Sequence, residues 1–155
     1  MKRFLSILAI LVLGLVITGC GSNPEQEALN NYLTKAEEIT KIHQNLSNSM
    51  GSVDYNDSAA WLKEYKDNAL PIASDFRTKT EELAKSIEDE EINKVHELYV
   101  TTAQKYEEGI KKYISGLEKN NVDEITAANT LIEEGTTAAT KYADELTKLK
   151  EARGV

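Results

Sequence analysis

Residues 91–124 read EINKVHELYVTTAQKYEEGIKKYISGLEKNNVDE, and the spacing inside this stretch decides the fold. With Leu117 as the last member, Ile92, His96, Tyr99, Ala103, Tyr106, Ile110 and Tyr113 recur at alternating steps of four and three. That is the seam of an amphipathic helix packed against other helices. The acidic run Glu88-Asp89-Glu90-Glu91 suits the positive end of its dipole. Asn120 can close it, and Asn121 with Glu124 three residues later opens the next helix. Folding the two about Asn120 and Asn121 sets Tyr113 opposite Ala128, Tyr106 opposite Gly135 and Tyr99 opposite Tyr142. Large side chains then meet small ones, as a close-packed core requires.

The following helix carries its own seam: Ile125, Ala128, Ile132, Gly135, Ala139, Tyr142, Leu146 and Leu149. Beyond it, residues 152–155 are expected to fray. On the other side a helix with Leu62, Tyr65, Ala69, Ala73, Phe76, Thr80, Leu83 and Ile87 is interrupted by Pro71. Proline lacks the N–H and clashes with the carbonyl four residues back, that of Asp67, so a kink is predicted there, with a division at Leu70 as its extreme form. Earlier still, Asn23 is a good cap, Pro24 fits the first helical position and Gln26 can complete a capping box. Leu29, Tyr32, Ala36, Ile39, His43, Leu46 and Met50 follow as a seam that ends near Gly51, and Asp57 or Ser58 caps the next helix. The expected fold is all-α: an antiparallel up-down-up-down four-helix bundle over residues 24–151, about 40 Å long by helix rise.

Ahead of the helices stands a different kind of segment. Lys2 and Arg3 precede an uncharged apolar run from Phe4 to Ile17, the charged and apolar regions of an export signal. As a helix that run spans only ~21 Å, short of the ~30 Å hydrocarbon core. Ile17-Thr18-Gly19-Cys20 closes it and resembles the lipobox of bacterial lipoproteins. The resemblance implies cleavage between Gly19 and Cys20, removal of residues 1–19 as a signal peptide, and a diacylglyceryl group, with its two acyl chains, on the sulfur of Cys20. One chain holds a membrane only marginally, so the number matters. Residues 20–23 would be the lipidated tether, placing the helical domain on the extracytoplasmic face of the cell membrane.

Cys20 is the single cysteine, so the helical domain has no disulfide and no thiol for catalysis or metal binding. Without Lys2 and Arg3 the chain keeps 16 basic against 26 acidic residues, a net charge of −10. Such a surface is repelled by phosphates, which argues against nucleic acid as a partner. No phosphate-binding glycine loop, nucleophile elbow or zinc signature is present. The two histidines, His43 and His96, lie about 18 Å apart along the helix axes, too far to share an ion. Neither has the glutamate three residues before it that di-iron bundles use. Both read as core or rim histidines, with Tyr65 level with His43 as its partner. Adjacent acidic pairs such as Glu107-Glu108 read as solvated faces. No enzyme activity, cofactor or metal is expected.

Two features remain as candidate sites. Tyr99, Tyr106 and Tyr113 form a stripe that, with Gly135, would line a small-ligand site between the third and fourth helices if it were not filled; core packing is the favoured reading. Val53, Tyr55 and Trp61 gather aromatic and apolar surface at the end far from Cys20, where a protein partner in the envelope would make contact. The alternative for Trp61 is a lid on the core. From His96-Glu97-Leu98-Tyr99 through Tyr106 and Tyr113 to Ala127-Ala128-Asn129 and Gly135, the chain resembles the small helical lipoproteins of Gram-positive, Bacillus-type bacteria. The resemblance implies an envelope protein and supplies no catalytic residue. The expected role is a membrane-anchored interaction module, an adaptor or blocker, with ligand binding as the alternative.

Overall fold

The computed structural model describes residues 23–52 and 57–155. The leader, the Gly19 and Cys20 junction, and the tip residues Val53 and Tyr55 lie outside the described residues. The fold is all-helical. In order come α1 (Pro24–Gly51), α2 (Ser58–Glu64), a π turn (Tyr65–Ala69), α3 (Leu70–Ala84), α4 (Glu90–Lys119) and α5 (Val122–Arg153). No described helix is long and apolar enough to cross a membrane.

α1, α2, α4 and α5 begin where the sequence provides an acceptor for orphaned N–H groups, whereas α3 runs on from the π turn without a side-chain cap. Asn23 accepts from the Glu25 amide, Asp57 from those of Ala59 and Ala60, Asp89 from that of Ile92, and Asn121 from those of Asp123 and Glu124. Gln26 does not close the predicted capping box. Its amide instead donates to the Arg153 carbonyl at 2.6 Å. Between α4 and α5, Asn120 turns left-handed (φ 50°), so that the Asn121 N–H reaches back to the Gly116 carbonyl at 2.8 Å. Asparagine tolerates that conformation better than most residues do.

The break in the second predicted helix falls at Asp67 and Leu70 and takes the form of a π turn. Pro71 is the second residue of α3, and the π turn before it spans Asp67, whose carbonyl the proline ring would meet in a plain α-helix. Within it the Leu70 N–H bonds to the Tyr65 carbonyl, five residues back. Trp61, Tyr65, Ala69 and Ala73 all face the core, three successive steps of four. In a plain α-helix such steps drift by about 120° in total, and the wider π turn takes up that drift.

The expected fraying of residues 152–155 is also corrected. Arg153 ends α5 with its side chain 5% exposed, paired with Asp89 at 2.8 and 3.0 Å and with Glu91 at 2.9 Å, and bonded to the Glu25 carbonyl. Gly154 closes the helix at φ 67°, a left-handed position suited to glycine, and the Val155 N–H returns to Lys150. A buried guanidinium with two carboxylate partners ties this end to α1 and to the start of α4.

The α4 and α5 residues pair in reverse order. Tyr113 bonds Asn129, the Tyr106 ring lies on Gly135 with its hydroxyl 3.2 Å from that of Thr136, and Tyr99 stacks on Tyr142 at 4.3 Å. Small residues let the backbones approach: a methyl group on Gly109 would strike Ile132, and one on Gly116 would strike Ile125.

Candidate functional site

The tyrosine stripe is core. Tyr99 is 1% exposed, and Tyr106 and Tyr113 are buried beside it. A Cβ on Gly135 would come within 2.7 Å of the Tyr106 ring, so this ring fills the space that a ligand would need. Burial pushes the phenols of Tyr99 and Tyr106 above their ordinary pKa, keeping them protonated donors.

Beside the stripe runs a hydrogen-bonded chain that takes one residue from each long helix. His96 of α4, fully buried, places Nε2 2.9 Å from the carbonyl of Thr80 in α3. A carbonyl only accepts, so Nε2 carries the proton and Nδ1 is the acceptor. The hydroxyl of Tyr32 in α1 donates to Nδ1 at 3.0 Å. Having spent its proton, that oxygen accepts from the hydroxyl of Tyr142 in α5 at 2.8 Å. Burial raises both phenols and lowers the imidazole, the Thr80 bond opposing the latter, so every member is neutral. The chain is satisfied from end to end.

His43 is placed differently. Its Nδ1 meets the Tyr99 hydroxyl at 3.2 Å, while Nε2 is buried with no hydrogen-bond partner. The ring stacks on Phe76 at 4.8 Å and lies 5.5 Å from Tyr106. Burial alone brings its pKa down to about 4. The expected partner Tyr65 is elsewhere: the π turn carries it to Trp61 and Tyr113.

The chain matches no family model, no curated protein and no solved structure.

Of the tip residues, Trp61 is described. It is half-buried, its ring 5.3 Å from Tyr113 and 5.9 Å from Tyr65, so it covers the core end. Among the described residues no group of three or more His, Cys, Asp or Glu side chains is placed to hold a metal ion. Glu107 overturns its reading as a solvated residue. It is 6% exposed and is held by Ser74 at 2.7 Å, Arg77 at 2.9 Å and Lys111 at 2.9 Å. Burial pushes its carboxyl up, but these three partners more than reverse that. Ser74 and Arg77 come from α3, so no local signal in α4 marks the site. The four-helix chain was more accessible, since Tyr32, Thr80, His96 and Tyr142 are all polar residues on apolar seams.

Proposed function

We propose that the protein is held by lipid on Cys20 at the extracytoplasmic face of a bacterial cell membrane and acts there as an interaction module, an adaptor or blocker within the envelope. Its helices are read as an up-down-up-down bundle, supported by the reversed pairing of α4 with α5. The observation that carries the reading is the start of α1 at Pro24, capped by Asn23, four residues after the lipobox cysteine. A tether that short covers at most ~14 Å. The domain therefore stands on the bilayer surface, with the end bearing Val53, Tyr55 and Trp61 outward.

Ligand binding between α4 and α5 is the weaker reading, because the Tyr106 ring occupies the space beside Gly135. Feeding cells labelled palmitate tests the anchor. The wild-type chain should take up label and Cys20→Ser should not; labelled Cys20→Ser protein would overturn the reading. Crosslinking in cells from position 59, exposed on α2 beside the tip, then tests the outer end. Partners should be captured and should disappear in a Tyr55→Ala, Trp61→Ala chain, whereas unchanged capture would leave the outer end without a contact role.

A further inference from the structure

A cavity of about 220 Å³ opens at the α1 start, between that helix, the end of α3 and the first turn of α4. Its floor is apolar: Ala28, Leu83, Ile87, Ile92 and the ring of Tyr32. Leu83, Ile92 and Tyr32 are buried, so the floor belongs to the core. The rim carries both signs of charge. Lys35 and Asn31 stand on the α1 side, and Glu88 stands opposite in the turn before α4.

Among the described residues these three rim groups make no ion pair or side-chain hydrogen bond. Their neighbours are used: Asp89 is held by Arg153, and the Ser86 hydroxyl donates to the Leu83 carbonyl. Other exposed charges among the described residues, Glu38 and Lys94 included, are also unpaired, so what distinguishes this rim is that both signs of charge face each other across an apolar floor. An ammonium, an amide and a carboxylate left open around an apolar floor describe a complementary molecule: one anionic group, one cationic group and a short aliphatic side chain. The volume lies below the roughly 300 Å³ at which pockets for drug-sized ligands begin.

We propose that this cavity binds a small aliphatic zwitterion of the amino-acid class. The carboxylate meets Lys35 and the Asn31 amide, the ammonium meets Glu88, and the side chain lies on Leu83, Ile87 and Ile92. The site is separate from the tyrosine stripe and does not depend on lipid at Cys20.

The test uses the isotope-labelled full chain in lipid nanodiscs, titrated with L-leucine and followed by amide chemical shifts. Saturable shifts are expected around Asn31, Lys35 and Ser86 at millimolar ligand. Leucinamide, which lacks the carboxylate, and isocaproate, which lacks the ammonium, should each bind about three- to fivefold more weakly, the scale of one exposed ion pair. Lys35→Ala should weaken leucine but not leucinamide, and Glu88→Gln should weaken leucine but not isocaproate. Both side chains are exposed, so neither change threatens the fold. Absence of saturable shifts, or equal affinity for all three compounds in wild type and both variants, would overturn the proposal.

Discussion

Protonating His43 inside the folded protein places a cation between Phe76 and Tyr106 with one ring nitrogen lacking a partner, whereas the unfolded chain accepts the proton freely. The folded pKa near 4 lies below the unfolded value of 6.5. The neutral ring's contribution is therefore complete above pH 6.5 and lost as pH falls toward 4, about 3 kcal/mol in all. Denaturant titrations of wild type and His43→Phe at pH 7 and pH 4 should show the variant losing about that much less over the interval. Equal losses would mean that the folded protein tolerates the charge. Gly135 is a second such position. Gly135→Leu drives a side chain into the Tyr106 ring and should destabilise by about 1–3 kcal/mol. A melting temperature equal to wild type would contradict the packing. The Tyr106 and Gly135 contact was legible in the sequence, because two regular seams and a two-residue turn fix which residues face each other. The partner of His43 was not, since it depends on the phase of a neighbouring helix.

That phase is set by the π turn. The sequence places a disturbance at Pro71 but gives no sign of its kind, because Leu62 serves a plain α-helical seam as well as Trp61 does. Both side chains pack against the core, and the Trp61 ring meets Tyr65 and Tyr113. Removing one exposed residue of the turn, Asp67, should convert it to α-helix and rotate α2 by roughly 100°, one residue's turn. The cost of the exposed Lys63 and Asp67 pair is slight. Because Trp61 is the single tryptophan, its fluorescence reports the change: emission should shift to the red and the melting temperature fall. An unchanged spectrum would show that the π turn does not position α2. Helix ends were easier to read than this interior break, since Asn23, Asp57, Asp89 and Asn121 carry their acceptors on their own side chains.

At the scale of the whole molecule, Arg153 joins three places far apart in sequence: the Glu25 carbonyl, Asp89 with Glu91, and the end of α5. Arg153→Ala leaves Asp89 without its guanidinium and should cost about 1–3 kcal/mol, between an exposed and a buried pair because Asp89 and Glu91 keep contact with water. Hydrogen exchange should then quicken at the end of α5 and at the start of α1. Unchanged protection there would show that the clasp adds nothing to either helix. The chain from Tyr142 through Tyr32 and His96 to the Thr80 carbonyl works over longer distances still, closing separations of 110, 64 and 16 residues. No pair of helices contains it, and a partly assembled molecule would bury some of its groups unpaired, at ~1–3 kcal/mol each. Folding intermediates that lack one helix are penalised in this way. Assembly and disassembly should thus register as a single all-or-none event, with a calorimetric enthalpy equal to the van't Hoff value.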